Sequence, residues 1–235
     1  MITSDKASSM LYLSIQHDTA HLHRSTTFFN GRYNGAMVRG MAGVIAFDYE
    51  RALDKATWLF WKNGYTGTSL RDLLKVMKIG EGSFYNTLKS KKRLFLECLR
   101  RYDETEGRKR SHALMSAPTA SLGIRALFGS VLDCLDNPKT PSRLCMFAAM
   151  ASEEVLSDRD LRKRVEDRME SYHVQLVERL SQDQDAGLLP AELDPRTIAS
   201  VIATYQQGIW RMALIEYDRI RFYRQIDAFL TALGL

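Results

Sequence analysis

The sequence predicts an all-α protein in which an N-terminal helix-turn-helix unit is followed by a helical bundle. From Asp48 onward, apolar residues recur at intervals of three and four, which is the pattern of amphipathic helices. No alternating strand pattern competes with it. All five prolines lie at or after Pro118, where they divide the second half into segments. With 235 residues, 45% of them hydrophobic, the chain is long enough to bury a core in two domains.

Residues 1–43 lack this periodicity and are predicted to be a poorly patterned tail. Its interpretation stays open: a disordered segment, a start codon assigned too far upstream, or a basic arm that contacts the adjacent minor groove through Arg32 and Arg39. No run of 18 or more apolar residues indicates a membrane span or a signal peptide, so we expect a cytoplasmic protein. The three cysteines are odd in number and widely spaced, which fits reduced core thiols better than disulfides or a zinc site.

Four helices are predicted between residues 48 and 102, each beginning at a polar capping residue or a glycine turn. They run from a cap at Asp48 to Asn63, from a cap at Thr68 or Ser69 to about Lys78, over Gly82–Leu88, and from a cap at Ser90 to Tyr102. The second and third helices are short, and the turn between them contains Gly80. Two short helices joined by a tight turn predict a helix-turn-helix.

The third predicted helix has the surface expected of a helix that reads DNA bases. If Phe84 and Leu88 face the core, a step of 100° per residue leaves small and hydrogen-bonding residues on the outside. These are Gly82, Ser83, Tyr85 and Asn86. Ser and Asn can hydrogen-bond to base edges in the major groove, Tyr can donate to a phosphate, and Gly allows close backbone approach. We therefore predict that this face contacts duplex DNA.

Positive charge is concentrated around this helix. The net charge of the chain is +5, and residues 62–101 alone contain ten basic and three acidic side chains. The two flanking helices begin in this segment, and the free N–H groups and dipole of a helix N-terminus attract phosphate. The residues expected to hold the DNA backbone are Thr68, Ser69, Lys91 and Lys92. A basic region of this kind indicates a polyanionic partner.

Five further helices are predicted in the second half. They cover Ala120–Asp136, Arg143–Glu154, Asp158–Gln184, Pro195–Glu216 and Ile220–Leu233. The last two have wide apolar faces, and two copies paired through these faces would form a four-helix dimer interface. The predicted interface residues are Ile198, Ile202, Tyr205, Ile209, Phe222, Ile226 and Phe229. Met146, Phe147 and Trp210 are weak candidates for a ligand pocket, since such side chains more often simply pack in a core.

The segment from Ala56 to Tyr102 resembles the DNA-binding domain of the TetR/AcrR family of bacterial transcriptional regulators. The resemblance rests on Leu59-Phe60, Gly64-Tyr65, Thr68-Ser69-Leu70, Ile79-Gly80, Gly82-Ser83-Phe84-Tyr85, Ser90-Lys91 and Leu94-Phe95. Two residues depart from the family pattern: Glu81 stands where Lys or Arg is frequent, and Leu88 replaces a common Phe. Glu81 could accept a hydrogen bond from a cytosine amino group or simply favour the helix dipole.

The resemblance implies a DNA-binding domain over residues 44–108 and a helical ligand-binding and dimerisation domain over residues 109–235. It further implies a homodimer, usually a repressor, that binds a palindromic double-stranded operator and releases it when a small-molecule effector binds. No cofactor, metal or membrane partner is expected, and bound protein would be associated with the bacterial nucleoid.

Two other classes of function, an enzyme and a protein-binding module, are alternatives to a DNA-binding regulator. An enzyme is disfavoured because His112 and His173 are isolated, and no triad, Gly-rich phosphate loop or metal motif is present in the sequence. A helical protein-binding or structural module without specific DNA recognition is the remaining alternative. That alternative predicts a basic patch with no preference for duplex DNA.

Overall fold

The computed structural model describes residues 48–235, so the predicted tail over residues 1–43 lies outside the described residues. Within residues 48–235 the chain forms eleven α-helices and one π-helical segment, with no strand, which confirms the all-α prediction. The α-helices are α1 Tyr49–Asn63, α2 Leu70–Met77, α3 Glu81–Leu88, α4 Lys91–Tyr102, α5 Arg108–Met115, α6 Ala120–Asp136, α7 Met146–Met150, α8 Glu153–Leu156, α9 Arg159–Asp185, α10 Pro195–Ile215 and α11 Arg219–Ala232.

The helices α1, α2 and α4 begin where the sequence predicts them, because polar side chains satisfy their free N–H groups. The helix α3 begins one residue before its predicted start, with Gly80 at its cap and no side-chain hydrogen bond there. Asp48 caps α1 by accepting from the Arg51 N–H, and Ser90 caps α4 by accepting from the Arg93 N–H. Lys78 ends α2 in the left-handed conformation, with φ of 58°. The sharp turn that follows is short enough to hold α2 and α3 as a helix-turn-helix pair.

A helix that the sequence analysis missed follows α4. The π-helical segment Asp103–Gly107 continues α4 directly into α5. The segment reads Asp-Glu-Thr-Glu-Gly and has no large apolar residue. The spacing of apolar residues by three and four is therefore interrupted here, although the backbone remains helical. The chain is therefore helical from Lys91 through Met115 without a loop.

The predicted single helix over Arg143–Glu154 is wrong. The chain instead forms the short helices α7 and α8, which are separated by Ala151 and Ser152. Ala151 leaves the helical conformation, with ψ of 62°, and Ser152 caps α8 by accepting from the Val155 N–H. The helices predicted at Ala120, Asp158, Pro195 and Ile220 are present with bounds that differ by no more than a residue or two.

Two hydrophobic clusters hold the described helices together. One contains the inner faces of α6, α9, α10 and α11. The other contains the inner faces of α1 to α4 and also takes in Met146, Phe147, Met150, Val155 and Leu161. Side chains from α7, α8 and the start of α9 thus complete the core beneath the helix-turn-helix. The division into residues 44–108 and 109–235 remains a prediction.

Candidate nucleic-acid interface

The outer face of α3 is polar and open. Phe84 and Leu88 are buried, with 0% and 2% of their surface exposed, as expected for the inner face of this helix. Tyr85 is 47% exposed, Gly82 and Asn86 are also exposed, and Ser83 is half-buried. No atom lies within 4 Å of the position that a Cβ on Gly82 would occupy. Because glycine has no side chain, the backbone of α3 at this position can come close to the floor of a DNA groove.

At the N-terminus of α2, the Ser69 hydroxyl accepts one hydrogen bond from Asp72 and donates another to it. Its Oγ accepts from the Asp72 N–H at 3.1 Å and donates to Asp72 Oδ2 at 2.6 Å. The hydrogen bond from Ser69 lowers the pKa of Asp72. The cap satisfies one N–H of the first turn, and the remaining first-turn groups of Leu70 and Arg71 are free for an anion.

Thr68 is not available as a side-chain contact. It is fully buried, and its Oγ1 donates to the Gly64 carbonyl oxygen at 2.7 Å. The hydroxyl therefore fixes the turn between α1 and α2 and does not face the solvent beside α3. The predicted phosphate contact of Thr68 is corrected accordingly.

The two lysines at the start of α4 have partners within the protein. Lys91 is half-buried with its Nζ 4.5 Å from the centre of the Tyr65 ring, and burial lowers the pKa of its ammonium group. Lys92 Nζ lies 2.6 Å from Asp160 Oδ2 and 3.2 Å from Asp158 Oδ2. The charge of Lys92 is therefore compensated within the protein, and its predicted role as a free phosphate-binding side chain does not fit its position.

Other basic side chains around α3 remain uncompensated. Within residues 48–235, the basic residues of the 62–101 segment that form no ion pair with a carboxylate are Lys62, Arg71, Lys75, Lys78, Lys89, Lys91 and Arg93. All of these except Lys91 are exposed. Lys89 follows α3 directly, and its Nζ donates to the Asn86 carbonyl oxygen at 2.8 Å. These cations supply the positive field that a phosphate backbone requires.

The residues predicted for the dimer interface mostly lie inside the monomer. Four of them, Ile202, Ile209, Phe222 and Ile226, are at most 4% exposed and belong to the core of the bundle. Ile198, Tyr205 and Phe229 are half-buried against the same core. Six large apolar side chains of α10 and α11 are exposed, namely Val201, Met212, Leu214, Ile215, Ile220 and Tyr223. All of them except Leu214 are here called the outer stripe. Four of the seven predicted residues thus lie in the core of the monomer, and the pairing of two copies through α10 and α11 remains a prediction.

The three candidate ligand-binding residues separate into two places. Phe147 and Trp210 line a narrow cavity between α4, α5, α6, α7, α9 and α10. Met146 does not line it and packs in the core beneath the helix-turn-helix. Sequence reasoning missed the polar residues of this cavity, chief among them Arg110, Tyr172 and Gln206. Arg110 lies on the missed helix α5, so its inward direction could not be anticipated.

Comparison with known proteins identifies relatives over both halves of the chain. Residues 52–98 match the bacterial regulatory proteins of the tetR family, and residues 122–229 match the tetracyclin repressor-like C-terminal domain. An uncharacterized HTH-type transcriptional regulator of Bacillus subtilis, YezE, is 26% identical over 188 residues, covering 80% of this chain and 96% of that protein. The HTH-type transcriptional repressor ComR of Escherichia coli K12 is 26% identical over 164 residues, covering 69% and 78%.

A solved structure extends the likeness to three dimensions. The TetR family transcriptional regulator CifR, as a cysteine mutant complexed with 26-bp operator DNA, has a TM-score of 0.75 and 28% identity to this chain. The likeness covers 81% of this chain and 99% of that one. The two family matches take in α1–α3 with most of α4, and nearly all of the fold from α6 to α11. This chain therefore belongs to the TetR family of bacterial regulatory proteins.

Proposed function

We propose that the protein is a ligand-responsive transcriptional repressor that binds a palindromic operator as a homodimer. The observation that carries this proposal is the open, polar outer face of α3, which lies between two capped helix N-termini and uncompensated cations. CifR, with which this chain shares its fold, is bound to operator DNA, and ComR is named a transcriptional repressor. The family is one of regulatory proteins rather than enzymes.

In this proposal α3 enters the major groove. Asn86 pairs with a base edge, Tyr85 donates its hydroxyl to a phosphate or base, and Gly82 lets the backbone approach closely. Ser83 is half-buried at the edge of this face, and its short side chain contacts a base edge through its hydroxyl. The N-termini of α2, at Ser69, and of α4, at Lys91, bind phosphates through backbone N–H groups on either side of the groove.

Two copies are proposed to pair through the outer stripe. Its side chains include Met212 and Ile215, which are 53% and 79% exposed and lie on one side of α10. An exposed apolar stripe of this kind is a typical protein interaction surface. A two-fold pairing would place the two α3 helices on one face of the DNA, about 34 Å apart for half-sites separated by one helical turn. The protein would act in the cytoplasm, at the nucleoid when bound to DNA.

In vitro selection of bound duplexes from a random library tests the proposal. A recovered palindrome is the expected result, because a two-fold dimer selects a two-fold site. The affinity of that duplex is then measured against salt concentration, where a steep negative slope reports neutralisation of phosphates. Recovery of no consensus together with a slope near zero would support the protein-binding module and overturn the repressor.

A further inference from the structure

The cavity beside the junction of α4 and α5 contains a buried cation without an anionic partner. Arg110 is 8% exposed, and its Nη2 donates to Tyr102 Oη at 3.2 Å. No carboxylate pairs with Arg110 among residues 48–235. Its guanidinium also lies 5.8 Å from the Tyr102 ring centre and 5.5 Å from that of Trp210. Aromatic faces reduce the cost of burying this charge, but they do not neutralise it.

Two further polar groups of the same cavity lack hydrogen bonds. Tyr172 and Gln206 are each 6% exposed, and neither Tyr172 Oη nor Gln206 Nε2 has a hydrogen-bond partner at normal distance and angle in the described part of the chain. The Gln206 side chain nevertheless lies close enough to the Tyr172 hydroxyl to lower its pKa, an effect smaller than that of burial. Both residues line the cavity together with Arg110. Burial raises the pKa of Tyr172, so its hydroxyl keeps a proton to donate. Buried donors without acceptors cost stability, which makes their presence together in one cavity unusual.

The remaining charged residues of the cavity leave it positive. Asp103 is occupied by α9, because its Oδ1 lies 2.8 Å from Arg168 Nε and its Oδ2 lies 3.4 Å from Arg164 Nη2. The charged lining residues are Asp103, Arg110 and Arg168, so the lining carries one positive charge in excess. A bound molecule with a single negative charge would balance it.

The guanidinium of Arg110 and the aromatic walls of the cavity indicate which chemical class of anion would bind there. A guanidinium presents parallel N–H groups that match the two oxygens of a carboxylate. The rings of Tyr102, Phe147 and Trp210 line the same space, whose free volume of about 30 Å³ admits a flat apolar group attached to that carboxylate only when the lining side chains move apart. We propose that the effector of this protein is a small aromatic carboxylate, bound by Arg110 with donation from Tyr172 and Gln206. The inference rests on the proposed ligand response and names the chemistry of the ligand.

Thermal unfolding with matched probes tests this assignment. Benzoate and benzamide have nearly the same shape but differ in charge, and inorganic phosphate provides a second anion at equal ionic strength. We expect benzoate to raise the Tm of the wild-type protein in a concentration-dependent manner, and benzamide and phosphate to leave it unchanged. Equal shifts with benzoate and benzamide, no shift with benzoate, or a larger shift with phosphate would overturn the assignment.

Variants locate the site. Arg110→Met keeps the aliphatic part of the side chain and removes the guanidinium, and we expect benzoate affinity measured by calorimetry to fall about tenfold or more. Tyr172→Phe removes only the unpartnered hydroxyl. We expect it to weaken benzoate binding severalfold while the Tm without ligand stays the same or rises, because an unsatisfied buried group is removed. A merely structural tyrosine would give a lower Tm and unchanged benzoate binding.

A control variant and a DNA assay separate the possible failures. Arg125→Met removes an arginine that pairs with Asp227 outside the cavity, and benzoate binding should persist in it. Loss of benzoate binding in Arg125→Met as well would point to general anion screening and overturn the site. Duplex binding is measured on the same samples. Wild-type protein that binds its operator but ignores benzoate overturns the carboxylate assignment alone, whereas failure to bind any duplex overturns the proposed repressor.

Discussion

Lys89 and Lys92 are three residues apart in the sequence, yet their surroundings differ. Lys89 is exposed and forms no ion pair within residues 48–235, whereas Lys92 lies between Asp158 and Asp160 at the start of α9. Hydrogen bonds to Asp160 and Asp158 raise the pKa of Lys92. Hydrogen bonds from the Leu161 N–H and from Lys92 lower the pKa of Asp158. Lys92 at the start of α4 is thus paired with the start of α9, whereas Lys89 at the end of α3 keeps a free charge.

This difference predicts different salt dependences for two matched variants. Lys89→Gln should weaken binding to specific and random duplexes alike and reduce the slope of log K against log salt by about one unit. Lys92→Gln should leave the slope unchanged, because the carboxylates already neutralise that charge. Fluorescence anisotropy across a salt series measures both. Equal reductions in the two variants would contradict the pairing of Lys92.

Asn86 is the side chain best placed on α3 to distinguish one base from another. It is exposed, and an amide can donate to and accept from adenine at the same time. We expect Asn86→Ala to cost about 1–3 kcal/mol in binding the selected operator and to change binding to random DNA little. Competition binding with the two duplexes measures the difference. Asn137→Ala, at the end of α6, serves as the control, and an equal loss with both duplexes would show that Asn86 contacts only the backbone.

The first four helices could be predicted from the sequence because their ends are marked locally. Asp48, Ser69 and Ser90 each accept a hydrogen bond from the N–H three residues on, and this spacing can be recognised without a structure. The helix α5 could not be predicted, because the π-helical segment before it shifts the register of the apolar positions. The break at Ala151 and Ser152 could not be predicted, because Met146, Phe147 and Met150 before it follow the apolar spacing of a continuous helix.

The same limit applies to the candidate site. The inner and outer faces of α3 follow from an eight-residue helix with only two large aliphatic or aromatic core residues, Phe84 and Leu88. Thr68, Lys92 and Arg110 could not be placed in this way. Thr68 is directed by a turn, Lys92 by carboxylates at the start of α9, and Arg110 by a cavity whose walls come from six helices. Contacts between distant segments leave no periodic trace in a single sequence.

The close packing of α6 against α5 requires a glycine at position 123, which leads to a prediction about stability. A Cβ added to Gly123 would clash with the carbonyl oxygen of Leu114, whereas a Cβ added to Gly129, on the same helix, would meet no atom within 4 Å. We expect Gly123→Ala to lower the free energy of unfolding by about 1–3 kcal/mol. Gly129→Ala should raise it by up to about 1 kcal/mol, because alanine is the better helix former. Urea unfolding of the two variants measures both values, and two changes of the same sign would contradict this packing.

Across the whole molecule, α10 has two apolar faces, and only one of them closes the bundle core. Ile202 and Ile209 pack inward, while Val201, Met212 and Ile215 form the part of the outer stripe on this helix. A helix that is apolar on adjacent faces is expected where one face covers the core and the other covers a partner. Periodicity locates both faces but does not say which is internal, and for this reason four of the seven predicted interface residues lie in the core of the monomer.

The outer stripe predicts how dimerisation and operator binding are coupled. Ile215→Glu places a charge on a side chain that is 79% exposed in the monomer, so the fold should be unaffected while the paired surface becomes unfavourable. We expect sedimentation velocity to show monomers at concentrations where the wild type is a dimer. Affinity for the palindrome should fall at least tenfold, because each monomer then binds one half-site without the other. Leu188→Glu changes a 58% exposed leucine away from the stripe and should leave both properties intact. A dimeric Ile215→Glu protein with full operator affinity would show that two copies pair through another surface.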